Sequence, residues 1–244
     1  MAQHAKPDRG AHLGRAGGAD GSGGAVSGVV LLLPGRPGLS PLSPGPVRPL
    51  ARALARAGGA AGLVTHLVQG ADASAGSAGG VGGAADEVVR RYGDVPVCLA
   101  GYGPGGLTAL RGAGHPAVNS VLAIAPCLPE AAADGSPEPV KQLAGRQVLI
   151  VHGTNDACTD PELSFRLAAR AKKANRSTCR FEVHSDGHAL REHRAEVVAL
   201  GVDFVLGAVL GSRWSRPVTD ALAAPPPLGL RMPLASGFGR SLRG

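Results

Sequence analysis

The sequence predicts an α/β fold: a mostly parallel sheet of about six strands with helices on both faces and no cap domain. Three observations lead there. Short runs rich in Val, Leu and Ile recur along the chain, and stretches of helical length and character separate them. Most of these runs are continuously apolar rather than alternating, as strands covered on both faces should be. With 244 residues, 44% of them hydrophobic, the chain can build one sizeable core.

Taken in order, residues 26–33 (VSGVVLLL) read as the first strand and 46–57 as the first helix. Strand 61–68 (AGLVTHLV) and helix 85–92 follow, then strand 95–100 (VPVCLA) and helix 105–113. Next come strand 118–125 (VNSVLAIA) and strand 147–152 (QVLIVH), joined by residues 126–145, a stretch too short to fold as a cap. Helix 161–174 has Asp160 placed to cap its N-terminus, Pro161 at its first position, and Lys172 and Lys173 in its last turn, where cations suit the dipole. Strand 180–184 (RFEVH) and helix 190–209 complete the core. Residues 1–24 and 212–244 are rich in Gly, Ser, Ala, Pro and Arg without hydrophobic periodicity, so both are expected to be disordered tails around a domain spanning 25–211.

Composition narrows the function. The net charge is +7, but the tails carry +1 and +4 of it, which leaves the domain near +2. Only 3% of the chain is aromatic, so it lacks the stacking platform and basic face of a nucleic-acid binder. The basic residues are mostly Arg in a chain rich in Ala and Gly, a bias that GC-rich coding produces without selection for charge. Cys98, Cys127, Cys158 and Cys179 are far apart with no CxxC, so the expectation is reduced thiols and neither a metal site nor a cofactor motif. No apolar leader and no membrane-length run is present, which points to a cytoplasmic protein with no membrane partner. The oligomeric state is left open.

The chemistry concentrates in Val95 to Arg111, VPVCLAGYGPGGLTALR: an apolar strand, a turn of small residues, then a helix. Gly101, Gly105 and Gly106 match the small positions of the G-x-S-x-G elbow, where strand and helix backbones approach closely. Downstream, His152-Gly153-Thr154-Asn155-Asp156 resembles an HGxxD run carrying a triad acid, and Ser185-Asp186-Gly187-His188 resembles a G-x-G-H run carrying a catalytic base. In this order the motifs resemble the α/β-hydrolase superfamily, especially its small lidless esterases, over about residues 25–211. The resemblance implies an ester- or acyl-binding pocket, with Asp156 holding His188.

The departures matter as much as the matches. Gly103 stands where the nucleophile belongs and has no side chain to attack with. Pro104 follows it and has no N–H, where the fold takes one oxyanion donor from the backbone. The other donor is expected from the loop after the first strand, at Gly35 and Arg36, with Tyr102 lining the pocket. The first reading is therefore a degenerate hydrolase that binds a small apolar or acyl-bearing ligand. An alternative is noncovalent chemistry, with His188 and Asp156 activating a water beside Gly103. A further alternative moves the nucleophile to Cys127, whose more ordinary reading is a small semi-buried residue. Ser40 and Ser43 read as turn formers, His152 as a support of the acid loop, and Asp186 as a residue pointing away from the base.

Overall fold

The computed structural model describes residues 12–18, 25–34, 45–69, 78–131 and 135–240. Its strands are β1 (His12–Gly18), β2 (Gly28–Leu33), β3 (Leu63–Gln69), β4 (Val97–Tyr102), β5 (Val118–Ile124), β6 (Gln147–Gly153), β7 (Thr178–Val183) and β8 (Met232–Pro233). Helices α1 (Val47–Gly58), α2 (Ala78–Tyr92), α3 (Pro104–Gly112), α4 (Pro161–Ala174), α5 (Arg194–Leu210) and α6 (Arg216–Ala223) connect or flank them. One sheet has the order β1-β3-β2-β4-β5-β6-β7-β8. Only β1 is antiparallel to its neighbour.

Burial explains the uninterrupted apolar runs. Val29, Leu31 and Leu33 face one core with residues of α2, α3 and α4, while Val30 and Leu32 face a second core with residues of α1, α5 and α6. Successive side chains alternate between the two faces, so a strand covered on both has no polar positions to spare. Helix α1 shows the matching helical pattern, burying Val47, Leu50, Leu54 and Gly58. The cap of α4 forms: the Asp160 carboxylate accepts the Glu162 N–H at 2.9 Å, and Pro161 opens the helix. Its Lys172 has a second use. The ammonium, largely out of solvent, donates to the carbonyls of Thr178 on β7 (2.8 Å) and of Ala221 (3.2 Å) and Leu222 (3.1 Å) on α6.

Several boundaries differ from expectation. The sheet has eight strands rather than about six, because both segments expected to be disordered contribute. In the N-terminal one, β1 pairs with β3, and His66 bonds the Gly14 carbonyl through Nδ1 (3.1 Å) and the Tyr92 hydroxyl through Nε2 (2.8 Å). An edge strand fixed by hydrogen bonds needs little hydrophobic pattern. In the C-terminal one, α6 buries Val218 and Ala221, and Leu230 and Leu234 are buried beyond it. The fully buried Arg180 guanidinium ties this segment down, donating to Glu182 (2.7 Å), the Leu230 carbonyl (2.9 Å), Ser164 (2.9 Å) and the Pro161 carbonyl (3.1 Å). Helix α2 starts at Ala78 rather than 85, and α5 at Arg194 rather than 190.

The sheet order reverses direction about β2: the chain crosses to β3 on one side and then to β4 on the other. In parallel sheets the carboxyl ends beside such a switch open into a crevice that ligands use. Here the loops leaving β4, β5, β6 and β7 converge. Between β5 and β6, the described residues carry only a 3-10 turn, Lys141–Leu143, and Arg111 pins the loop by a bidentate pair with Glu138 (2.7 and 2.8 Å). No helix among the described residues is long and apolar enough to cross a membrane.

Candidate active site

The elbow between β4 and α3 is built as tightly as its glycines suggest. A Cβ on Gly101 would overlap the carbonyl oxygen of Gly105, so strand and helix touch through backbone alone. Gly103 has φ 56° and ψ −123°, a positive-φ conformation that costs most residues strain but glycine little. Its N–H donates to the Ile124 carbonyl (2.9 Å), and its own carbonyl accepts from the N–H groups of Gly106 (3.0 Å), Leu107 (3.2 Å) and Cys127 (3.0 Å). Pro104 takes the first helical position, where a missing N–H does not harm the helix. A Cβ built on Gly103 would lie 3.4 Å from His188 Nε2 and 3.6 Å from Cys127 Sγ.

The acid and the base come from the loops after β6 and β7. His188 Nδ1 donates to Asp156 Oδ2 at 2.8 Å. His152 Nε2 donates to the same oxygen at 3.0 Å, while Oδ1 accepts the backbone N–H groups of Cys158 (2.8 Å) and Thr159 (3.1 Å). Burial alone would push the Asp156 carboxyl up, but the hydrogen bonds from His152, His188, Thr159 and Cys158 outweigh it and hold the group well below the usual carboxylate range. His188 is pushed the other way, up to about 10, by its hydrogen bond to Asp156 and then by one to Cys127, against an opposing desolvation cost. At neutral pH its ring is therefore an imidazolium. Asp186 serves the loop rather than the base. Its carboxylate accepts the N–H groups of Gly187 (3.1 Å), Arg191 (3.0 Å) and His193 (3.0 Å), which fixes the shape of the segment carrying His188.

Cys127 reaches the site through a strained turn. Strand β5 ends at Ile124, and Ala125, a non-glycine with φ 42°, turns the chain sharply before Pro126. The Cys127 N–H then closes on the Gly103 carbonyl, and its half-buried thiol lies beside the position a nucleophile on Gly103 would take. That places the sulfur beside Gly103, the N-cap of α3. Tyr102 lines the same space, its ring 5.2 Å from that of His188, and its hydroxyl is pushed up to about 12 by burial and then by the Asp156 charge. A separate cleft of about 80 Å³, lined by none of these residues, lies between Leu128, Pro129 and Glu138 on one side and Leu163, Leu167 and Arg170 of α4 on the other.

Gly103, Pro104, Tyr102, Cys127, Asp156 and His188 thus meet at one point, whereas Gly35, Arg36, Ser40 and Ser43 lie outside the described residues. All four cysteines are free thiols, with Cys98 and Cys179 buried and Cys158 exposed. Sequence reasoning missed Cys158, which sits beside the Asp156–His188 pair. Only its spacing of two from Asp156, which lets its N–H close a tight turn on the carboxylate, could have marked it.

No protein-family model matches the chain, and no curated protein matches it in sequence. Solved structures do match in fold. An esterase from Pyrococcus furiosus superimposes with TM-score 0.60 at 12% identity, over 75% of this chain and 84% of that one. A lidless α/β serine hydrolase from Xanthomonas campestris gives 0.57 at 16%, over 81% and 89%. A putative dienelactone hydrolase from Klebsiella pneumoniae gives 0.54 at 19%, over 78% and 89%. The chain has the α/β-hydrolase fold, and among the described residues no cap is inserted between its strands.

Proposed function

We propose that this α/β-hydrolase-fold chain is a thiol hydrolase of short-chain esters, in which Cys127, His188 and Asp156 form the catalytic triad. One observation carries the reading: the Cys127 sulfur lies 3.6 Å from the position a Cβ on Gly103 would take, itself 3.4 Å from His188 Nε2, and the thiol is hydrogen-bonded to that imidazole. The nucleophile has moved from the end of one strand to the end of its neighbour, and the histidine and acid have stayed.

In this mechanism the reactive pair is a thiolate beside an imidazolium, with Nε2–H donating to the sulfur and Nδ1–H to Asp156. Sulfur attacks the ester carbonyl, and the carbonyl π pair moves onto oxygen. As the tetrahedral intermediate collapses, His188 gives its Nε2 proton to the departing alkoxide. The imidazole, now neutral, takes a proton from water, whose oxygen attacks the thioester and releases the acid. The proton returns to Nε2 and the sulfur leaves as thiolate. Asp156, ionised across the working pH range, fixes the tautomer and stabilises the imidazolium at both stages.

One feature weighs against activation of a water by His188 without a covalent step. A ring that titrates near 10 is neutral in only about one molecule in a thousand at pH 7, which makes it a poor base for the free enzyme. The other reading, a degenerate hydrolase that binds a small apolar or acyl-bearing ligand, rests on Gly103 and on the N–H that Pro104 lacks. Turnover of p-nitrophenyl acetate or butyrate separates them. Turnover lost in Cys127→Ala and in His188→Ala supports the thiol enzyme. Turnover lost in His188→Ala alone supports water activation, and saturable binding without turnover supports the binding protein.

A further inference from the structure

The thiol of Cys158 takes no part in the chemistry above, yet it is set against the two groups that control it. One donor atom each from Asp156, Cys158 and His188 lies within 4.8 Å of the other two. We propose that these three side chains form a binding site for a thiophilic divalent cation, zinc in particular, and that a cation bound there switches the hydrolase off. The binding stands on this geometry alone; the switching-off rests on the function proposed above.

The donor set selects the ion. A carboxylate oxygen, an imidazole nitrogen and a thiolate sulfur are the three ligand types zinc takes, whereas magnesium and calcium call for oxygen throughout. Zinc bonds of about 2.0–2.3 Å in a tetrahedron put neighbouring donors about 3.3–3.7 Å apart. The widest separation therefore has to close by at most about 1.5 Å, while Nδ1 and the nearer Asp156 oxygen, 2.8 Å apart, have to open by about 0.5 Å. The closing movement falls to the exposed Cys158 side chain. Its backbone is already fixed on the site, because the Cys158 N–H and the Thr159 N–H both close on Asp156 Oδ1. His152 would remain behind the carboxylate, its Nε2 3.0 Å from Oδ2, and such outer hydrogen bonds hold metal ligands in orientation. Water completes the coordination.

The consequence for His188 follows from which nitrogen is used. Nδ1 is the one facing Asp156, 2.8 Å away. When Nδ1 binds the cation it gives up its hydrogen, and the ring's one remaining proton is held at Nε2, on the side of Cys127. In that form the ring can accept a proton neither from the thiol nor from the water that must cleave the acyl thioester. An acylated enzyme would stall.

Cobalt(II) as a spectroscopic stand-in and zinc chloride as the functional probe test this. In Cys127→Ala, which keeps the three donors and removes the other site thiol, one equivalent of cobalt(II) is expected to produce a thiolate-to-cobalt absorption band, with zinc displacing it. Adding Cys158→Ser is expected to abolish the band and weaken zinc binding at least tenfold in competition with a chromophoric chelator. A band that survives Cys158→Ser, or that is already missing in Cys127→Ala, would overturn the assignment. Zinc is further expected to inhibit p-nitrophenyl acetate turnover by the wild-type chain, reversibly with a chelator, and to inhibit Cys158→Ser at least tenfold less. Equal inhibition of both would overturn the switch. A wild-type chain without turnover would refute the hydrolase reading while the cobalt band still decides the site.

Discussion

The elbow can be made to accept its nucleophile back. In a Cys127→Ala background, Gly103→Ser places a Cβ 3.4 Å from His188 Nε2, an ordinary contact that displaces nothing, and its hydroxyl can reach the imidazole. The cost is the backbone: φ of 56° in a serine is strained by about 1–3 kcal/mol, and each kcal/mol lowers Tm by about 2–4 °C in a domain of this size. A melting temperature lower by several degrees is therefore expected, with the fold intact. Activity is expected to be weak, because Pro104 supplies no N–H to the oxyanion. Adding Pro104→Met restores that donor at a cost of about 0.4–1 kcal/mol in chain stiffness. One such donor is worth about a hundred- to a thousandfold in turnover. The kcat for p-nitrophenyl butyrate of the triple variant should accordingly exceed that of Cys127→Ala/Gly103→Ser by about that factor. Equal rates for the two would refute the reasoning, since they would mean that the proline removes nothing from the anion cradle.

Three further outcomes are expected. His188 titrates at about 10 in the fold against 6.5 ordinarily, so its contribution to stability is full below pH 6.5 and disappears as pH rises to about 10. The stability gap between wild type and His188→Gln in urea should therefore shrink over that window, and a constant gap would contradict the assignment. Arg180→Met leaves the Glu182 carboxylate largely buried with Arg231 as its remaining partner, and should cost about 3 kcal/mol in chemical denaturation. A loss under about 1 kcal/mol would show that Arg231 suffices. Deleting residues 212–244 exposes the faces that Val218, Leu230 and Leu234 cover and removes two carbonyl acceptors from Lys172. At about 1.5–3 kcal/mol for each large side chain, thermal melting should show a marked loss, and an unchanged Tm would mean the segment is not part of the domain.

How far the sequence could be read depended on where the information sits. The strands β2 to β7 announce themselves because burial on two faces forces continuous apolar runs, and α4 because its cap and first residue, Asp160 and Pro161, are chemically distinctive. The edge strand β1, HLGRAGG, is invisible to hydrophobic patterning: it is held by pairing with β3 and by the His66 side chain. Helix α6 contributes only Val218 and Ala221 to the core, too little to stand out in a segment of prolines and arginines. At the site, the glycine elbow and the loops bearing Asp156 and His188 could be located from motifs. The approach of Cys127 to Gly103 could not, because it depends on the positive φ of Ala125 and on a hydrogen bond between residues 24 positions apart in the chain. Neither leaves a trace in residue type. The same holds for Cys158, whose meaning comes from the turn that returns its N–H to Asp156.

The most direct test is to find where the acyl group goes. Wild-type protein is mixed with p-nitrophenyl acetate, quenched in acid within the first turnovers, and mapped by peptide mass spectrometry. An acetyl group carried on Cys127 in the wild type, and absent in His188→Ala, is the predicted result. Turnover with the label on any other residue, or with no labelled residue at all, would contradict it.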